Sequence, residues 1–190
     1  MSLDSDEILD LLKKVFGKDL VKKEWNIAVE AEDLWKRLRN KTYVPRIDYV
    51  VGPFNITSSR DNLREINEAY NNYRGLIQDF IKNGFTNNFN GKWNENPRCF
   101  IAIEVENKTS IKHRLGSMLN ASFMGKIGLI VAQNERTFKS FQKLLTYLNT
   151  VTELRKTPIR APENIIVIRE QNFKEILKRY IKNKLIPRSQ

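Results

Sequence analysis

Two carboxylates and a lysine stand at alternate positions in Phe100-Ile101-Ala102-Ile103-Glu104-Val105-Glu106-Asn107-Lys108. A strand, with its period of two, puts Ile101, Ile103 and Val105 on one face and Phe100, Ala102, Glu104, Glu106 and Lys108 on the other. The segment therefore begins apolar on both faces and ends with three charges projecting together. Charges at the mouth of a buried strand cost free energy unless they are paired or bound to a cation. Like carboxylates this close are relieved by a proton or a divalent metal. A second extended segment, Arg46-Ile47-Asp48-Tyr49-Val50, carries one carboxylate among apolar neighbours. A neighbouring strand would bring Asp48 beside Glu106. Asp, Glu and a Lys two residues on make a hard-oxygen site suited to Mg²⁺, which takes one or two carboxylates and keeps several waters. Such an ion lowers the pKa of bound water and offsets charge on a phosphoryl oxygen.

Asp48, then Glu106-Asn107-Lys108 on the next strand, then an amphipathic helix and an apolar strand, resembles the PD-(D/E)XK nuclease superfamily. The resemblance implies an α/β, restriction endonuclease-like fold, a central mixed sheet flanked by helices. Its core order α-β-β-β-α-β covers residues 20–132, with a helical insertion over 58–97 and a basic β-α extension over 133–190, all in one domain of residues 1–190. The implied activity is Mg²⁺-dependent hydrolysis of DNA phosphodiester bonds by an endonuclease of restriction, repair or defence type, with Mn²⁺ as an alternative ion. On the same ground, Asp48 and Glu106 hold the metal and the main-chain carbonyl of Asn107 completes the shell. Lys108 orients the attacking water or stabilises the transition state.

The chain departs from that pattern in three places. Pro45 lies three residues before Asp48 rather than next to it. The gap from Asp48 to Glu106 is long. Glu104 adds a second acid on the same face, able to share or replace a ligand role. The family often carries a further Glu on its first core helix. Taking residues 20–39 as that helix, at about 100° per residue, Glu24 falls at the centre of the apolar face, Glu32 at its border and Glu30 opposite. Glu24 is the first choice, as an outer ligand or water-orienting base, and Glu32 the second.

The elements that must position these groups follow from periodicity. Residues 6–16 read as a short helix through Ile8, Leu11, Leu12 and Val15, and 20–39 as a second through Trp25, Ala28, Ala31, Trp35 and Leu38. Val44 to Ile56 reads as extended. Residues 60–82 carry Leu63, Ile66, Tyr70, Tyr73, Ile77 and Phe80 at spacings of three and four, a helical seam that serves as core or joins two copies in a homodimer. The Asn- and Gly-rich stretch 83–97 is loop. From residue 99 the order is strand (99–108), helix (111–124), strand (127–132), helix (135–154), strand (164–168), helix (173–184), which implies parallel neighbours. In the 111–124 helix, Ile111, Leu115, Met118, Leu119 and Ser122 form the expected buried stripe. His113 then faces away from it, as a surface residue or phosphate contact.

Composition narrows the chemistry further. Cys99 is the only cysteine and His113 the only histidine among 190 residues, which removes internal disulfides and zinc sites needing several such ligands. Gly125-Lys126 is no P-loop, because Asn120 stands where the first Gly is required and Ile127 replaces Ser/Thr. The longest apolar runs are strand-sized, so no membrane span is expected, and acidic Asp4, Asp6 and Glu7 have the wrong sign for a targeting peptide. The expected compartment is the cytoplasm. Charge is uneven: residues 1–110 hold 17 Lys/Arg against 17 Asp/Glu, whereas 111–190 hold 16 against 5 and supply the whole net +11. A basic half points to nucleic acid, most directly DNA, as partner. The rival expectations are the same fold binding nucleic acid without turnover, and an interaction protein that dimerises through 60–82.

Overall fold

Five segments rich in branched apolar residues pair into one mixed sheet in the order β1-β2-β3-β4-β5. They are β1 (Val21–Asn26), β2 (Arg46–Phe54), β3 (Cys99–Glu106), β4 (Gly125–Ala132) and β5 (Ile165–Arg169). The computed structural model describes residues 3–27, 44–56, 60–107, 110–157 and 160–185. β2 runs antiparallel to both its neighbours, while β3, β4 and β5 are parallel. The parallel steps need crossovers, and helices supply them. The helices are α1 (Leu3–Phe16), α2 (Arg60–Asn72), α3 (Arg74–Asn83), α4 (Ile111–Met124), α5 (Glu135–Glu153) and α6 (Glu170–Leu185).

Both faces of the sheet are covered, so all eight residues of β4 are buried. On one face α1, α2, α3 and α6 bring Ile8, Leu12, Ile66, Ile77, Phe80 and Phe173 onto Ile101, Ile103, Ile127 and Leu129. On the other, α4 and α5 bring Met118, Ala121, Phe138, Phe141 and Leu145 onto Ala102, Ile130 and Val167. The result is a three-layer α/β sandwich around an open mixed sheet. The 133–190 segment completes it, giving β5 at the edge and α6 packed on α1. No helix of the described residues is long and apolar enough to cross a membrane.

Several expectations change. Val21–Asn26 is an edge strand, not the start of a helix. The four-residue spacing of Val21 and Trp25 suits either form, and pairing with β2 decides it. Ala28, Glu30, Ala31, Glu32, Trp35 and Leu38 lie outside the described residues. The 60–82 segment divides at Tyr73 into α2 and α3, and Ile66, Leu76, Ile77 and Phe80 are buried in the chain's own core. Of the two roles expected for this seam, core or joint between copies, these residues take the first. Phe100 packs with Ile101 and Ile103 rather than across from them, because β3 twists at its start, opposite a register irregularity in β2 between Val51 and Phe54.

The helix α4 is also rotated from its expected face. It buries Arg114, Ser117, Met118, Ala121 and Ser122, while Ile111 is exposed. Small residues lead because the helix rides close to β4: a Cβ placed on Gly128 would lie 3.0 Å from the Ala121 backbone. Asn164, just before β5, pins this packing. Its amide donates to the carbonyls of Ser122 (2.9 Å) and Gly125 (3.1 Å), and its Oδ1 accepts from Ser122 Oγ (2.8 Å). Asn94 donates to the same two carbonyls, so they keep one partner if Asn164 is lost. Asn164→Ala is therefore expected to cost about 1–3 kcal/mol, read as a lower urea midpoint at unchanged slope.

Candidate active site

The carboxylates gather where β1, β2 and β3 twist. Glu24 holds φ at 54°, a left-handed conformation that costs a non-glycine residue roughly 1–2 kcal/mol. This turn in β1 sends Val21 into one core and Trp25 into the other, and β2 makes the same switch between Ile47 and Tyr49. The pairs Lys23↔Tyr49 and Trp25↔Ile47 set Glu24 across from Asp48. Carrying Tyr49↔Ile103 one residue further sets Asp48 across from Glu104. Three acids thus form a row over three strands.

Asp48 and Glu104 are the tight pair. Asp48 Oδ2 accepts the backbone N–H of Val105 at 2.9 Å, taking the place of a ladder carbonyl at the end of the β2–β3 pairing. Burial pushes the Asp48 carboxyl above its usual range, against the pull of the Val105 N–H, and the charges of Glu24 and Glu106 add to the rise. Glu104 is 6% exposed. Burial, then repulsion from Asp48 and Glu106, pushes its pKa up to about 9. At neutral pH the Glu104 carboxyl is therefore protonated and donates to the Asp48 carboxylate.

Glu106 turns to α4 instead. It is buried, and its Oε1 accepts from Ser117 Oγ at 2.6 Å and stands 2.9 Å from His113 Nε2. Its main-chain carbonyl accepts from the Gln133 N–H at 3.0 Å. His113 is 41% exposed, so the ring is reached by solvent. A carboxylate that fixes one imidazole nitrogen sets the tautomer and leaves the second nitrogen to exchange a proton. His113 is thus exposed, as expected, but its Nε2 is held at the Glu106 carboxylate. A helix that follows a parallel strand begins over the carboxyl end of that strand, and His113 and Ser117, four apart, share the helix line above Glu106. The signal was present in the sequence: the only histidine sits in the first turn of the helix after the carboxylate strand.

The other expected site residues are placed as follows. Glu24 stands in the acid row, on strand β1 rather than on a helix, exposed and paired with Arg46 at 2.9 Å. Asn107 is exposed just past β3. Lys108 lies outside the described residues. Among the described residues no three His, Cys, Asp or Glu side chains form a ready group for a metal ion. The donor chemistry of the pair still fits Mg²⁺, which needs only one or two carboxylates and completes its shell with water. Two adjacent carboxyls withdrawn from water that share a proton are the arrangement in which a divalent cation can replace that proton. No family model, no curated protein and no solved structure matches this chain.

Proposed function

We propose that this chain is a Mg²⁺-dependent endonuclease that hydrolyses DNA phosphodiester bonds in the cytoplasm, on a restriction endonuclease-like fold. The observation that carries the reading is the pairing of half-buried Asp48 with buried Glu104, set across β2 and β3 at the carboxyl end of a parallel strand. The element order supports it. With β1 recognised, α1-β1-β2-β3-α4-β4 follows the α-β-β-β-α-β order that the resemblance implies, with α2 and α3 inserted before β3.

Asp48 and Glu104 would hold the ion, which when bound supplies Lewis acidity toward a phosphoryl oxygen and makes water more acidic. Glu106 and Ser117 orient His113, whose second nitrogen moves the proton of the attacking water or of the leaving oxygen. Lys108 is proposed to orient water or balance transition-state charge, and Asn107 to lend its carbonyl. Exposed Lys112 beside the site and Arg136, Lys139 and Lys143 on α5 offer phosphate contacts.

The test is a Mg²⁺ and Mn²⁺ titration of the purified protein on duplex, single-stranded and branched DNA, run beside His113→Ala. Cleavage that needs the metal and falls on the order of 10²-fold in the variant is the expected result. Equal cleavage by both proteins would remove His113 from the mechanism, and no cleavage at any metal concentration would remove the activity. A second reading rests on the lack of a ready three-ligand group among the described residues. It makes the same surface a nucleic-acid clamp, whose salt-dependent binding ignores Mg²⁺ and survives Glu104→Gln.

A further inference from the structure

A second polar cavity lies toward the other end of the sheet. It holds about 420 Å³ and is lined by Asn67, Tyr70 and Asn71 of α2, by Lys92 and Glu95 of the loop before β3, and by Lys126 of β4. The pairs Cys99↔Gly125 and Ile101↔Ile127 set Lys126 level with Phe100. That is four residues before Glu104, roughly 13 Å along the strand from the carboxylate row.

We propose that this cavity is an anion site that takes a phosphomonoester group through Lys126 and Lys92. Lys126 is the one buried lysine among the described residues, only 7% exposed. No carboxylate or other acceptor among the described residues forms an ion pair or hydrogen bond with its ammonium. A cation largely withdrawn from water, with only the charge of Glu95 acting to balance it, gains from an anionic ligand at the cavity mouth. Burial pushes the Lys126 ammonium below the ordinary lysine range, Lys92 adds repulsion, and Glu95 partly offsets both. Two ammoniums against one carboxylate leave the pocket at net +1.

The walls are built, not fortuitous. A Cβ on Gly91 would fall 2.5 Å from the Tyr70 hydroxyl, so the loop backbone lies against the tip of the Tyr70 side chain from α2. The loop is pinned by the Asn90 N–H on the Glu163 carbonyl (2.8 Å) and by the Asn94 amide on the Phe123 and Gly125 carbonyls (2.9 Å each). Held in this way, the loop carries the exposed Lys92 and Glu95 across from Asn67 and Asn71. A phosphomonoester carries nearly two negative charges and three acceptor oxygens, which suits two lysines with amide donors beside them. The remaining volume suits the organic part of a small metabolite, with Glu95 as a hydroxyl acceptor.

Thermal unfolding of the full chain in EDTA tests the site independently of any metal or nuclease activity. Inorganic phosphate and adenosine 5′-monophosphate are compared with chloride at matched ionic strength. At a hundredfold excess over the dissociation constant, the wild type should gain roughly 5–10 °C over chloride. Lys126→Met should unfold at or above the wild-type temperature without ligand and lose that gain. Lys92→Gln, at an exposed position, should fold normally and keep only part of it. A larger gain with the nucleotide identifies an organic phosphate as the occupant, and an equal gain identifies free phosphate. The same gain in Lys126→Met, or none in the wild type, would overturn the proposal.

Discussion

Asp48→Asn is expected to lower metal-dependent DNA cleavage by at least about 10²-fold while leaving the protein folded. Replacing a partner one step removed from a metal typically costs 10–100-fold, and a direct ligand costs at least the upper end of that range. The fold should survive, because the asparagine Oδ1 can still accept the Val105 N–H that Asp48 Oδ2 now accepts at 2.9 Å. The substitution also removes a charge that repels Glu106. Stability should therefore hold or rise while activity falls, the signature of a site kept for function at a cost in stability. The check is single-turnover cleavage at saturating Mg²⁺, with urea midpoints for both proteins. Wild-type rates in Asp48→Asn would remove the pair from the mechanism.

The second large effect is on pH dependence. The Glu104 carboxyl sits at about 9 in the folded chain, above its ordinary value of 4.5, and burial is the main cause. The folded protein thus binds a proton that the unfolded chain has released. This contribution is fully present below about pH 4.5 and is lost as the pH rises through about 9. Across that window the metal-free protein should lose on the order of 1 kcal/mol per pH unit. The raised Asp48 carboxyl acts in the same direction. Glu104→Gln, which keeps a neutral donor facing Asp48, should flatten the slope and be the more stable protein at pH 8. Urea unfolding in EDTA from pH 5 to 9 measures it, and parallel slopes for the two proteins would contradict the assignment.

Much of this architecture is legible in the residue pattern. Strands β3, β4 and β5 announce themselves as short apolar runs, and α3, α5 and α6 as amphipathic stretches, because sheet and helix periods differ sharply there. Where the pattern fails, a tertiary term decides. Val21 and Trp25 fit both a helix and an edge strand, and only β2 pairing settles the choice. On α4 the packing of small residues against Gly128 outweighs burial of Ile111, turning the helix so that His113 and Ser117 meet Glu106.

Strand register is the deepest of these limits. Asp48 can face Glu104 or Glu106 from the same sequence, and a shift of one period exchanges the acid proposed to hold the metal for the one proposed to orient His113. Burial is also hidden in single residues. Lys126 reads as the tail of a failed P-loop, yet it is the buried lysine of the second cavity.

The most direct test of the Asp48–Glu104 assignment is calorimetric titration of Mg²⁺ into the protein at pH 7, in two buffers of different ionisation enthalpy. Binding that releases about one proton per ion from the wild type, with little or no release from Glu104→Gln, is the predicted result. Mg²⁺ binding that is absent, or that proceeds without proton release and equally in both proteins, would contradict the account.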